Sequence, residues 1–276
     1  MLSFPNREST RVVRPVSDLV IAERSGPVSR VILDRPEVSN ALDGWTISKC
    51  IEIFEELRED KVTRVIVIQG NGKNFCAGAD LNWMKRSANF SREENLEDSR
   101  RLALLFHLIH TSPRPVIARV QGAAIGGGAG LVAAADISIG STMSSFGFSE
   151  ARLGIIPAVI SPYVVGRLGP ARTRACFLTG ERFMGPQALK LGLLDEVVEE
   201  EGIDAAVVRT VAAILKCGPK ALERAKLLVT DVSSRDPHEI AELTAVAIAD
   251  IRTTPEAQEG MAAFLEKRKP SWVVEE

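Results

Sequence analysis

The chain has 276 residues, 45% hydrophobic and 25% charged, with a formal net charge of −2. That balance is ordinary for a soluble globular protein of one large domain or two small ones, and it offers no basic stripe to hold nucleic acid. Cys50, Cys76, Cys176 and Cys217 lack CxxC spacing and read as reduced thiols of a cytoplasmic protein. His107, His110 and His238 are too few for a His-based metal centre; His107 and His110, at i and i+3, read as surface or half-buried structural residues. No run of eighteen apolar residues is present, so no transmembrane helix and no membrane partner are expected.

Residues 1–17 contain Arg7, Arg11 and Arg14 beside Glu8 and two prolines, with no apolar h-region, and read as a mobile tail, an organelle transit peptide being the alternative. Strands are expected over 19–23 and 28–33, joined at Gly26-Pro27. Asp34-Arg35-Pro36 ends the second, and a helix over 44–59 follows from the spacing of Trp45, Ile47, Ile51, Phe54 and Leu57. The apolar run 65–69 reads as a buried strand leading into the small-residue turn Ala77-Gly78-Ala79-Asp80. Ser91 and Glu94 form a capping-box pattern that opens a helix to about 110, stopped by Ser112-Pro113. A strand over 115–120 feeds Gly126-Gly127-Gly128, a buried helix over 124–135, and a strand over 136–140. Helices are then expected over 160–168, 171–178 and 186–191, with a strand over 194–198. Beyond residue 200 the pattern is helical, over 204–216, 219–231, 237–251 and 255–268, with prolines at or near several starts. The βα alternation before that point predicts an α/β core with mainly parallel strands. The boundaries drawn are a tail over 1–17, a core over 18–200 and a helical region over 201–276.

Two strand-to-turn passages stand out for chemistry. Glycines at a helix start let backbone approach a ligand, and the first N–H groups there have no internal partner. Such an end suits an oxygen that carries or develops negative charge. The 77–80 turn has the same grammar, so each turn could give one N–H to a single oxygen. Gly128-Ala129-Gly130-Leu-Val-Ala133, with Glu150 beyond, also satisfies a dinucleotide fingerprint. Against it, the crossover helix would be very short and Glu150 ends no clear strand.

Five blocks in order carry a family resemblance: LDRPEVSNAL (33–42 with its leading Leu), FCAGADL, VQGAAIGGGAGLVAAADISIG, FSEARLGIIP and GERFMGPQALKLGLLDEVV. Together they resemble the enoyl-CoA hydratase/isomerase (crotonase) superfamily. The resemblance implies a spiral of ββα turns with C-terminal helices that form a homotrimer, often paired into a hexamer. It implies an acyl-CoA thioester as substrate, coenzyme A being part of that substrate, with no separate cofactor and no metal. It places the oxyanion-holding N–H groups on Ala79 and Gly127 and an acid–base carboxylate on Glu150. A second glutamate of the family's hydratases falls on Gly130 and is missing. It also puts Asn40, Ala41, Leu42, Ala77, Gly78, Asp80 and Leu81 along the CoA path, although Asp80 and Asp136 read by themselves as turn or cap residues. Phe264 and Lys267, on the last helix, would reach the CoA of a neighbouring subunit.

AGADLNWMK, Gly130 and IIPAVISPYVVGRLG resemble hydratases of branched glutaconyl thioesters such as 3-methylglutaconyl-CoA. Gly130 would then open volume at the distal end, and Arg152 or Tyr163 would meet the second carboxylate of the substrate. The expected activity is hydration of an enoyl-CoA. The alternatives are an isomerase working with Glu150 alone, or a non-catalytic binder of CoA esters or RNA.

Overall fold

β-Branched runs suit a pleated, half- or fully buried surface, and six strands build the main sheet. The computed structural model describes residues 19–233 and 235–273. The tail expected over 1–17 lies outside the described residues. The chain opens with β1 (Val20–Ser25), β2 (Val28–Leu33), α1 (Gly44–Glu59), β3 (Val65–Gly70), α2 (Leu81–Ser87) and α3 (Arg92–His110). It continues through β4 (Val116–Val120), β5 (Ala123–Ile125), α4 (Gly127–Ala134), β6 (Ile137–Ser141), β7 (Ser145–Gly147) and α5 (Ser161–Thr179). Then come β8 (Arg182–Met184), α6 (Gly185–Leu191), β9 (Glu196–Val198), α7 (Ile203–Leu215), α8 (Pro219–Val232), α9 (Ala241–Arg252) and α10 (Pro255–Leu265).

The large sheet runs β1-β2-β3-β4-β6-β9, with β1 antiparallel to β2 and every later pairing parallel. A smaller layer has the order β5-β7-β8. Two isolated parallel bridges, Leu42 with Ala79 and Cys76 with Ala124, sit in the connections that follow β2, β3 and β4. Successive turns of the chain thus lay a long strand in the large sheet and then a short segment beside it. The result is a spiral.

Alternation places Ile66 and Ile68 of β3 in one core, against α1, α3, α4 and α5, and Val65 and Val67 in a second core. Both faces of the sheet are covered, as parallel sheets require. Ile203, Ala206, Val207 and Ile214 of α7 complete the second core. The helical region after residue 200 therefore begins by packing on the sheet.

Several elements differ from expectation. The helix expected from 124 starts at Gly127, because Ala123 to Ile125 pair with Ser145 to Gly147 and become β5. The two helices expected over 160–168 and 171–178 are present and meet at a break, where Gly169 leaves the helical conformation (φ 74°) ahead of Pro170. The capping box forms as expected, with Glu94 N–H donating to Ser91 Oγ at 3.2 Å and Ser91 N–H to Glu94 at 2.7 Å. Among the described residues no helix is long and apolar enough to cross a membrane.

The last helices hold on by few anchors. α8 and α9 bury no residue, and α10 buries only Ala263. The Arg64 guanidinium donates to the carbonyls of Trp272 (2.8 Å), Leu215 (3.1 Å) and Cys217 (2.7 Å). Glu256 of α10 accepts the Lys220 and Ala221 N–H groups at 3.0 and 2.9 Å, capping α8 where Gly218 offers no side chain.

Candidate active site

The first turn is held by backbone bonds on both sides. Leu42 N–H donates to the Gly78 carbonyl at 2.7 Å, and Asp80 N–H donates to the Leu42 carbonyl at 2.9 Å. Gly78 carries φ 94°, and a Cβ there would lie 2.8 Å from the Ile125 carbonyl oxygen, so only glycine suits the position. A trans peptide aims its N–H opposite to its C=O. With the Gly78 carbonyl fixed on Leu42, the Ala79 N–H therefore faces away from Leu42. Ala79 is exposed, and no hydrogen bond within the described residues engages that N–H.

The second turn is built the same way. Gly126, at φ 51°, donates to the Gly147 carbonyl at 2.9 Å and accepts the Gly130 N–H at 2.9 Å. The peptide it shares with Gly127 is thereby aligned with the α4 axis. The Gly127 N–H opens the helix and has no hydrogen-bond partner among the described residues. A Cβ at Gly128 would overlap the Cys76 carbonyl, and one at Gly127 would lie 3.2 Å from Leu42 Cδ1. These contacts bring the two turns together around Leu42.

Glu150 arrives three residues after Gly147, at the start of a 3-10 turn, Glu150–Leu153. Phe148, fully buried, anchors that turn against Phe177 at 5.3 Å and Phe183 at 6.2 Å between ring centroids. Glu150 Oε1 lies 3.1 Å from the point where a Gly126 Cβ would stand. Its Oε2 is buried with no hydrogen-bond partner among the described residues. Burial pushes the Glu150 carboxyl above its ordinary value, and its own backbone N–H opposes this only in part. A desolvated carboxylate with an idle oxygen, beside the turn that presents the unclaimed Gly127 N–H, is an arrangement for moving protons next to an oxygen that gains charge.

Residues 23–275 match the family model described as enoyl-CoA hydratase/isomerase. The chain belongs to the enoyl-CoA hydratase/isomerase family. A crotonyl-CoA hydratase from Syntrophomonas wolfei is 30% identical, over 92% of this chain and 97% of its own. An enoyl-CoA hydratase from Shewanella pealeana superposes with a TM-score of 0.90 at 37% identity, covering 93% of this chain and 98% of that one. Pseudomonas aeruginosa AtuE gives a TM-score of 0.89 at 30% identity, covering 93% and 100%. The α/β architecture is the crotonase fold.

Within this crotonase-fold enzyme, other residues singled out from sequence lie as follows. Gly130 does not open volume: a Cβ there would overlap Ile160 Cγ2 and lie 3.0 Å from Ile160 Cβ and 3.1 Å from Phe106 Cε1. The space of the missing glutamate is filled by these two apolar side chains. Arg152 is exposed and turns to the Thr179 carbonyl, with Nη2 at 3.2 Å. Tyr163 packs on Phe106 and His110 at 5.9 and 5.3 Å between centroids. Leu153 and Ile155, just after Glu150 in the chain, are 60% and 53% exposed.

Along the proposed CoA path, the side chains of Asn40 and Asp80 are engaged within the chain. Asn40 Nδ2 donates to the Asn71 and Asn74 carbonyls at 2.9 and 2.7 Å, and its Oδ1 accepts Arg35 N–H at 2.8 Å. Asp80 caps α2, accepting Asn82 N–H at 2.8 Å and Trp83 N–H at 3.1 Å, and pairs with Arg35. Burial acts to raise the Asp80 carboxyl, but the Trp83 and Asn82 N–H groups and Arg35 outweigh it and hold it below its ordinary value. Ala41 gives its carbonyl to Arg35, Ala77 donates to Ser39, and Leu81 stands exposed at the start of α2. Phe264 is 83% exposed, and Lys267 follows α10 with φ 57°. In the sequence Arg35 marks only a strand end and Ile160 only a helix start. The pairing of Arg35 with Asp80 spans 45 residues and the contact of Ile160 with Gly130 spans about 30, so neither leaves a local signal.

Proposed function

We propose that the protein hydrates enoyl-CoA thioesters, adding water across C2=C3 or removing it. The Ala79 and Gly127 N–H groups hold the thioester oxygen, and loss of one such donor typically costs ~3 kcal/mol of barrier. Water attacks C3, its proton passes to Glu150, and the π electrons of C2=C3 move into an enolate held by the two N–H groups. Glu150 then returns the proton to C2. The observation that carries this reading is the buried, unpartnered Glu150 oxygen beside the Gly126 turn. Coenzyme A enters as part of the substrate.

A second reading is an enoyl-CoA isomerase, favoured by the packing of Ile160 against Gly130, which leaves no room for a second carboxylate there. The same Glu150 would carry a proton between carbons. Heavy-oxygen water separates the two, since only hydration places the label at C3. If an enoyl-CoA turns over without label uptake, the hydratase reading falls.

The finer reading is a branched glutaconyl-CoA. With the Gly130 space filled, its support is Arg152 with Arg182, which line a cavity of about 620 Å³ together with Ser149, Leu153, Gly180 and Glu181. A substrate carboxylate set between two guanidiniums would orient the acyl chain. The glutaconyl ester is accordingly expected to exceed crotonyl-CoA in kcat/KM, and Arg182→Ala to narrow that gap. A wild-type preference for crotonyl-CoA would end the glutaconyl reading.

A further inference from the structure

We propose that Arg35 is a positioning residue for the Ala79 N–H, an assignment that rests on the oxyanion reading above. The Arg35 side chain is only 13% exposed, and it meets two carboxylates, Asp80 at 2.9 Å and Asp43 at 3.1 Å. Its Nη1 also donates to the Ala41 carbonyl at 2.8 Å and to Thr46 Oγ1 at 3.3 Å. Asp43 and Asp80 are the N-caps of α1 and α2. Each directly follows one member of the bridge between Leu42 and Ala79. One planar guanidinium therefore ties together the two chain segments whose backbone pairing aims the Ala79 N–H.

The pairing alone is two hydrogen bonds between short, irregular segments, Leu42 to Gly78 and Asp80 to Leu42. Gly78, at φ 94°, is the residue least able to resist rotation of the peptide that carries the donor. Arg35 supplies that resistance from outside. It fixes Ala41 just before Leu42, Asp43 just after it, and Asp80 just after Ala79. The fork geometry matters here, since an ammonium cannot serve two carboxylates and a carbonyl in one plane. An ion pair this buried adds little net stability against an apolar replacement, so its effect lies in the geometry it imposes.

The test compares wild type with Arg35→Met, which keeps bulk, and Arg35→Lys, which keeps charge. Each is saturated with a conjugated chromophoric enoyl-CoA thioester, whose absorption moves to the red when its carbonyl is polarised by the two N–H donors. Turnover is measured alongside. In Arg35→Met the red shift is expected to shrink and kcat to fall about 10- to 100-fold, the scale of a small misplacement. KM should change little, and Arg35→Lys should fall between. Asp80→Asn serves if Arg35→Met does not fold, because asparagine keeps the cap while weakening the pair; a smaller effect in the same direction is expected. A folded Arg35→Met or Asp80→Asn with the wild-type red shift and kcat overturns the positioning role. So does a kcat that falls only with the folded fraction while the red shift is intact. If wild type itself shows neither red shift nor turnover with any enoyl-CoA, the oxyanion reading fails, and the positioning role with it.

Discussion

At the scale of single residues, Glu150 carries the proposed proton transfer and Gly130 a packing constraint. Glu150→Gln is expected to lower turnover by about two to four orders of magnitude, the usual worth of a positioned acid–base group. The same variant carries a stability prediction. The folded carboxyl is raised above its unfolded value, so the folded state binds the proton more tightly and loses stability as pH rises through that interval. Glu150→Gln should therefore unfold at the same or a higher temperature than wild type near neutrality, with the difference closing as pH falls below the ordinary carboxylate range. Thermal scans across pH check this; a variant less stable than wild type at neutral pH would contradict it. Gly130→Ala should destabilise the protein by about 1–3 kcal/mol through overpacking against Ile160. Adding Ile160→Ala should recover part of that loss in urea unfolding. The sequence disclosed a missing carboxylate at Gly130 but not what replaced it, because the partner comes from the start of α5.

At the scale of elements, strand and helix identity was legible wherever a long apolar pattern existed. β2 and α1 fall on the residues their periodicity marks. β5, β7 and β8 were not legible, being three residues each and made by pairing rather than by propensity. α7 shows a related limit: its composition marks a helix, while its apolar face, Ile203, Ala206, Val207 and Ile214, assigns it to the sheet. Composition reports element type, not which core an element joins. The junction of α8 and α10 yields a prediction of its own. Glu256→Ala should cost about 1 kcal/mol, the usual worth of a helix cap. Amide exchange at Lys220 and Ala221 should quicken, while amides in β3 stay protected.

At the scale of the molecule, the described C-terminal helices expose apolar side chains without a covering layer. Val229, Ile248, Phe264 and Leu265 stand open, the last two 83% and 78% exposed. Apolar surface of this kind on consecutive helices signals burial against another chain. A homotrimer or a dimer of trimers is the expected assembly, measured by light scattering at micromolar concentration. Phe264→Asp combined with Leu265→Asp should shift the mass towards monomer if these residues lie in the contact. A monomeric wild type would remove the basis for Phe264 or Lys267 reaching a neighbour's CoA.

The backbone pairing that joins Leu42 to Ala79 and Cys76 to Ala124 has a consequence for how such a protein changes over generations. In the proposed reading, the groups that hold the substrate oxygen are amides, which nineteen of the twenty residue types provide, proline alone lacking the N–H. Ordinary point substitutions at Ala79 leave that donor in place as long as the pairing survives. In the same reading the proton carrier, Glu150, is one side chain on a 3-10 turn with exposed neighbours, removable by a single base change. The durable half of the machinery is thus inherited with the fold, and the half that selects a reaction is open to exchange. A library varied at Glu150, Arg152, Ile160 and Arg182 would keep the ability to stabilise an enolate while sampling what is done with it.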